Sequence, residues 1–246
     1  MTVVVNRFKD GNSVARAVAE AFFVKMDEVL ATKAEAHVAI TGGTVGIATL
    51  GEIAANERAA NFDFNRVNFW WGDERFVAAD SADRNENQAR DALLSKITLD
   101  PAKVHGFAST DSGLSLDEAA AQFASHVAEF AAIDEIVPEF DVVFFGMGPD
   151  GHIASLFPGK QTPAAGVQVI AEHDSPKPPP QRLSFTYEAL NAADQVWFVV
   201  AGADKQDAVA VAMGDSPGDL PVGRVHGTKS TQWFIDTTAG TKAFGC

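Results

Sequence analysis

The stretch FDVVFFGMGPDGHIASLFPG, residues 140–159, decides the fold. Its segment Asp141–Phe145 is apolar after the first residue, which is typical of a strand buried on both faces of a sheet. Glycines at positions 146, 148 and 151 then break the strand and surround Asp150 and His152. In open α/β sheets ligands bind beyond the carboxyl ends of the strands, so this stretch predicts a buried strand that leads into a ligand-binding loop.

Strand-like and helix-like segments alternate along the rest of the chain. The predicted strands are Val3–Val5, His37–Ile40, Val67–Trp71, Leu183–Phe185, Val196–Val200 and Gln232–Ile235. The predicted helices are Ser13–Leu30, Val45–Ala60, Asn85–Leu94, Leu116–Ile133 and Asp204–Met213. This alternation predicts one α/β domain over residues 1–246, with a mostly parallel, Rossmann-like sheet covered by helices on both faces. Between two of these elements, DSPKPPP (Asp174–Pro180) is interpreted as a solvated loop that its prolines stiffen.

Composition limits the classes of partner. The chain has 246 residues and a formal net charge of −14, which argues against a nucleic-acid partner or an anionic membrane surface. No apolar run approaches the ~20 residues that span a bilayer, and the first residues lack the apolar core of a signal peptide. The single cysteine, Cys246, closes no internal disulfide, so we expect a cytoplasmic protein. We also expect a small-molecule substrate and a monomer or weak homo-oligomer.

Four predicted strands end in glycine together with charged or hydroxyl residues. The segments that follow them are Thr41–Thr44, Gly72–Arg75, residues 146–152 and Gly202–Lys205. Because parallel strands end at the same edge of a sheet, these segments predict one shared site. Thr41–Thr44 has the parts of an anion cradle, since its glycines expose backbone N–H groups before a helix. A Gly-Gly turn capped by Thr44 is the alternative.

The glycines of the opening stretch also fit the G-x-G-x-x-G spacing of a dinucleotide-binding turn. That fingerprint needs a long helix after the third glycine, and Pro158, Gly159 and Pro163 interrupt one here. His152 is therefore the better candidate, since a neutral imidazole takes up a proton near pH 7 and Asp150 can orient it. The alternative is a histidine that caps a short helix, Ile153–Phe157. No second histidine stands at metal-ligand spacing, so we expect no metal.

The residues resemble a family at this point. GMGPDGHIASLFPG resembles the hallmark of the 6-phosphogluconolactonases. The family's other motifs are present in the family's order along the chain: TGGT at 41–44, WGDER at 71–75, PPQRLSF at 179–185 and GADK at 202–205. The resemblance covers nearly the whole chain. It implies the Rossmann-like fold shared with glucosamine-6-phosphate deaminase, and a cytoplasmic enzyme without metal or organic cofactor. The implied reaction is hydrolysis of 6-phospho-D-glucono-1,5-lactone to 6-phosphogluconate in the oxidative pentose phosphate pathway.

The residue chemistry supplies roles for that reaction. A lactone needs a water molecule activated by a base, which we assign to His152 with Asp150 as its orienting group. Arg75 is the candidate for stabilising charge on the lactone or the phosphate, and Asp73 for binding sugar hydroxyls or holding Arg75. A surface ion pair of Arg75 with Glu74 or Asp73 is the alternative.

A phosphate needs charge-assisted donors and backbone N–H groups. We expect Gly42, Gly43 and Thr44 to cradle it, and Arg182 and Lys205 to supply positive charge.

One position separates the two activities of this fold. The deaminases that share it carry a glutamate five residues after the motif histidine, where this chain has Phe157. A phenyl ring transfers no proton, so Phe157 favours the lactonase over a deaminase or isomerase. A non-catalytic sugar-phosphate-binding regulator would keep the cradle and lack the base, and His152 argues against it.

Overall fold

The computed structural model describes residues 2–133 and 135–245 of the chain. Its strands are β1 (Thr2–Phe8), β2 (Ala36–Ile40), β3 (Val67–Trp71), β4 (Asp73–Arg75), β5 (Val142–Phe145), β6 (Val169–Glu172), β7 (Arg182–Phe185), β8 (Gln195–Val200) and β9 (Ser230–Asp236). Its helices are α1 (Gly11–Leu30), α2 (Thr44–Ala55), α3 (Asn85–Ala89), α4 (Leu116–Ala128), α5 (Tyr187–Asn191), α6 (Gln206–Ala212) and α7 (Thr237–Phe244).

Six strands form one sheet in the order β1-β9-β8-β5-β2-β3, and all five neighbouring pairs are parallel. Every residue of β3 and β5 is buried, so both faces of the sheet are covered at these strands. The Rossmann-like, mostly parallel fold that the sequence predicts is confirmed. The chain leaves β2 toward β3 on one side and returns as β5 on the other, which makes the gap between β2 and β5 the topological switch point.

A second sheet, with the order β4-β7-β6, is antiparallel and small. It follows directly from β3, because Gly72 donates its N–H to Ile40 and accepts one from Phe185. The sequence predicted only β7 of these three strands. The other two are short, and β4 consists of the charged residues Asp73–Arg75, which carry no hydrophobic period.

Two of the predicted helices, and the short helix considered only as an alternative, differ from the structure. The helix predicted over Val45–Ala60 ends at Ala55, because Asn56 is extended and caps a separate 3₁₀ turn, Glu57–Ala60. The helix predicted to reach Ile133 ends at Ala128. Residues Ile153–Phe157 form turns with a bridge between Ile153 and Leu156, so the short helix considered for His152 to cap is wrong.

Within the described residues, no helix combines the length and the apolar character that a membrane crossing requires. Cys246 lies outside the described residues.

Candidate active site

The segments that follow β2, β3, β5 and β8 line one cavity of about 630 Å³. The cavity sits at the switch point, where the backbone N–H of Gly146 after β5 lies 3.4 Å from the hydroxyl of Thr41 after β2. Of the nine candidate site residues, the cavity walls include Gly42, Gly43, Thr44, Asp73, Arg75, His152, Arg182 and Lys205. The ninth, Asp150, contacts the His152 ring. The segments that were expected to share one site therefore line the same cavity.

His152 forms a close pair with Asp150. Its Nδ1 lies 2.5 Å from the Asp150 carboxylate, and the imidazole side chain is one-fifth exposed. Burial lowers the pKa of His152 below its ordinary value, although Asp150 opposes that shift. Burial by itself would raise the pKa of Asp150, but hydrogen bonds and charge from His152 and Lys177 outweigh it and lower that pKa to about 2. An ionised Asp150 that accepts the Nδ1 proton leaves Nε2 as the basic nitrogen of a neutral ring.

Close packing fixes this loop. A Cβ added to Gly148 would stand 2.0 Å from the His152 Nδ1, so only glycine lets the imidazole lie across the turn. The phenyl ring of Phe157 packs against the other side, with ring centroids 4.8 Å apart. Phe157 contributes an apolar wall beside the histidine.

The Thr41–Thr44 turn carries the exposed start of α2. Gly43 is the N-cap residue of α2, with φ of 81°, and no side chain caps the helix. The alternative interpretation, a Gly-Gly turn capped by Thr44, is therefore wrong. A Cβ at Gly42 would stand 2.0 Å from the Asn85 amide oxygen. The uncapped N–H groups of a 12-residue helix therefore face the cavity as donors for an anion.

Strand β4 supplies Asp73 and Arg75. Asp73 accepts a 2.6 Å hydrogen bond from the Ser155 hydroxyl and lies 3.9 Å from the Arg182 guanidinium. Arg75 donates to the Asp83 carbonyl at 3.0 Å and to the amide oxygen of Asn85. Its buried Nε has no partner among the described residues.

No ion pair joins Arg75 to Glu74 or Asp73 within residues 2–133 and 135–245, so the surface-pair alternative is wrong. Glu74 instead lies beneath the site, 1% exposed, and accepts the backbone N–H groups of Arg75, Asn85 and Glu86. Burial raises the pKa of Glu74 to about 7, although these donors and the nearby Arg84 oppose the rise. Its carboxylate ties β4 to the start of α3 and so fixes both Arg75 and Asn85.

Two cations come from other strands. Lys205 follows β8 after Gly202, whose φ is 108°, and its ammonium lies 3.0 Å from Asp204. Arg182 on β7 is 6% exposed, and its Nε and Nη2 donate to three backbone carbonyls of the preceding loop. Its Nη1 remains toward Asp73 and the cavity.

Three residues of the site were not predicted from the sequence: Asn85, Ser155 and Lys177. Asn85 lies at the start of a predicted helix, where asparagine is ordinary cap chemistry. Ser155 stands inside the recognised motif, yet only its contact with Asp73 distinguishes it. Lys177 belongs to the DSPKPPP loop that was interpreted as solvated, whereas its ammonium reaches the cavity. None of the three carries a spacing signal.

A model of the family "Glucosamine-6-phosphate isomerases/6-phosphogluconolactonase" matches residues 9–233 of the chain. The chain belongs to this family. Within it, the chain is 37% identical to a 6-phosphogluconolactonase of Mycobacterium leprae, with all of both chains covered. It is 39% identical to a 6-phosphogluconolactonase of Streptomyces coelicolor, over 98% of this chain and 94% of that protein.

Solved structures agree. The crystal structure of 6-phosphogluconolactonase from Thermotoga maritima matches with a TM-score of 0.82 at 27% identity, covering 96% of this chain and all of that one. A monomeric glucosamine-6-phosphate deaminase matches with a TM-score of 0.77 at 16% identity, covering 98% of this chain and all of that one. The second likeness shows the fold alone.

Proposed function

We infer that this family member is a 6-phosphogluconolactonase, which hydrolyses 6-phospho-D-glucono-1,5-lactone to 6-phosphogluconate in the oxidative pentose phosphate pathway. The observation that carries the inference is near full-length identity of 37–39% with lactonases, in a chain whose cavity histidine pairs with a carboxylate and packs against a phenyl ring. Ring opening of an amino sugar needs a further proton-transfer group, and Phe157 has none.

In the proposed mechanism, the neutral Nε2 of His152 takes a proton from a water molecule as its oxygen attacks the lactone carbonyl carbon. The carbonyl oxygen gains the negative charge, and the Arg75 guanidinium stabilises it from the cavity wall. Collapse of the tetrahedral intermediate breaks the bond to the ring oxygen. The imidazolium returns its proton to that oxygen, so His152 ends the cycle neutral and the ring has opened to a carboxylic acid that then ionises.

The phosphate binds away from the base in this proposal. The N-terminus of α2 offers the N–H groups of Gly43 and Thr44, and Lys205 adds a charge from the loop after β8. In a chain with net charge −14, local donors of this kind are what attract a doubly charged substrate. A cytoplasmic location, a monomer or weak homo-oligomer and independence from metal or organic cofactors stay predictions.

Proton release from fresh lactone tests the function. We expect the purified protein to accelerate acidification in weak buffer with EDTA present, after subtraction of the spontaneous rate. Ammonia release from glucosamine 6-phosphate, without lactone hydrolysis, would instead support the deaminase alternative. Loss of activity in EDTA that an added metal restores would overturn the metal-free mechanism and leave the substrate assignment in place.

A further inference from the structure

Lys177 reaches the histidine–carboxylate pair from a distant part of the sequence. Its Nζ lies 3.1 Å from the Asp150 carboxylate and 3.1 Å from the His152 Nδ1. The residue belongs to the loop before β7, whereas Asp150 and His152 follow β5. Three charged or titratable groups therefore meet at one point of the cavity wall.

The backbone of Lys177 is held firmly. Arg182 donates from Nε to the Pro179 carbonyl at 2.9 Å, and from Nη2 to the carbonyls of Pro178 at 3.1 Å and Lys177 at 3.2 Å. The Ser175 hydroxyl donates to the Lys177 carbonyl at 2.9 Å. Because one buried guanidinium binds three carbonyls of this loop, the backbone that carries Lys177 is fixed. A solvated linker would not hold the lysine in one direction.

Proton positions follow from these contacts. An ionised Asp150 accepts the Nδ1 proton of His152, and an ammonium has no lone pair with which to accept from that nitrogen. Lys177 therefore donates to Asp150 and places a positive charge beside the imidazole. When His152 takes a proton during catalysis, the new imidazolium meets a positive charge about 3 Å from its ring.

Other charges also face His152. Asp73 on β4 acts on it from the small sheet, and its negative charge opposes that of Lys177. The remaining charged residues of the cavity wall are Arg75, Arg182, Asp204, Lys205 and Asp236. Among the groups that act on His152, Lys177 is the cation whose charge disfavours the imidazolium.

We propose that Lys177 is a positioning residue of this site, which keeps Asp150 ionised and His152 neutral in mildly acid solution and drives the proton of His152 onto the departing ring oxygen. This assignment rests on the proposed function for its last step. Burial and Lys177 both lower the pKa of His152, in agreement with the geometry. Arg182 in turn fixes the loop that carries Lys177, through its hydrogen bonds to three backbone carbonyls.

The test compares Lys177→Ala with Lys177→Arg and with Lys242→Ala. Lys242 is a matched control, because it also forms a lysine–aspartate pair, with Asp207, but at an exposed position where neither residue lines the cavity. The imidazole Cε1–H proton of His152 is followed by NMR from pH 4 to 9 and assigned by its loss in His152→Gln. The five other histidines report whether each variant is folded.

We expect the pKa of His152 to rise by about 0.5–1 unit in Lys177→Ala, since one screened charge at this distance contributes about that much. The acid limb of the kcat profile should move to higher pH by the same amount. Lys177→Arg should restore most of the wild-type value, and Lys242→Ala should not change it.

A Lys177→Ala protein with an unchanged His152 titration and a kcat lowered equally at every pH would overturn the proposal, because the lysine would then only support the loop. The NMR titration needs no substrate. It therefore decides whether Lys177 controls His152 separately from the lactone assay, which decides the proposed function.

Discussion

Burial is the main cause that lowers the pKa of both His152 and His105, yet the surroundings of these two histidines differ. His152 lies at the carboxyl end of the sheet, against a cavity, with a carboxylate at 2.5 Å. His105 lies beside the edge strand β3, with burial and the neighbouring His126 lowering its pKa to about 4. A lowered pKa alone would rank the second above the first as a functional candidate.

The contacts of the two rings reverse that ranking. The His105 imidazole is 4% exposed and stacks on the Trp70 indole, with centroids 3.9 Å apart. Its Nδ1 lies 3.0 Å from the His126 ring, and its Nε2 lies 3.1 Å from the Asn68 amide oxygen. Both nitrogens are therefore used inside the protein, whereas the Nε2 of His152, a residue of the cavity wall, has no hydrogen-bond partner within residues 2–133 and 135–245. A buried histidine becomes a base only where one nitrogen faces open space.

The largest expected effect comes from His152→Ala. General base catalysis contributes roughly 10²–10⁴-fold, so kcat for the lactone should fall by about that factor while KM changes little. Initial rates of proton release, corrected for spontaneous hydrolysis, measure both constants. His105→Gln is the matched control and should keep kcat within about twofold. Loss of kcat in the control together with a fully active His152→Ala would break the comparison and move the base away from the cavity.

Removal of Lys205, the cation proposed to bind the phosphate, should have a smaller effect, concentrated in KM. A hydrogen bond to a charged group contributes about 1.5–3 kcal/mol, so Lys205→Ala should lower kcat/KM on the order of 10- to 100-fold. Unphosphorylated gluconolactone should be affected far less, and inorganic phosphate should compete with the substrate in the wild type. Lys242→Ala supplies the control. An unchanged preference for the phosphorylated lactone would show that Lys205 does not contact the phosphate.

The two regions also differ in how far the sequence revealed them. Strand ends are local features, so the cavity edge could be located from Thr41–Thr44, Gly72–Arg75 and the residues after β5 and β8. Hydrophobic periodicity and the positions of glycines indicate where a strand ends to within a few residues. The parallel fold implied that these ends lie on one side of the sheet, whereas the order of the strands was not predicted.

Contacts between distant segments gave no such signal. Lys177 and Asp150 are 27 residues apart, and His105 reaches Asn68 across 37. Lys177 lies in a proline-rich loop, and His105 lies outside every predicted helix and strand. No sequence pattern marks the contacts of either residue, so only the tertiary structure reveals them. Strand β4 was missed for a related reason, because its three polar residues pair through the backbone alone.

The smallest expected effect concerns stability in acid and tests the other half of the comparison. A histidine with a pKa of about 4 in the folded state and 6.5 when unfolded binds its proton first in the unfolded chain. Its contribution to the free energy of unfolding is therefore complete above pH 6.5 and is lost as the pH falls from about 6.5 to about 4.

Urea unfolding of the wild type and His105→Gln at pH 7 and pH 5 measures this loss. At pH 7 we expect the variant to be less stable, because it lacks the stacking of the ring on Trp70. Between pH 7 and pH 5 the wild type should lose about 1–2 kcal/mol more than the variant, so the gap narrows or closes. His37, whose pKa is also lowered by burial, is present in both proteins, and the difference isolates His105. An equal difference in unfolding free energy between the two proteins at both pH values would mean that His105 accepts a proton in the folded protein as readily as in the unfolded chain. Burial would then not lower the pKa of His105.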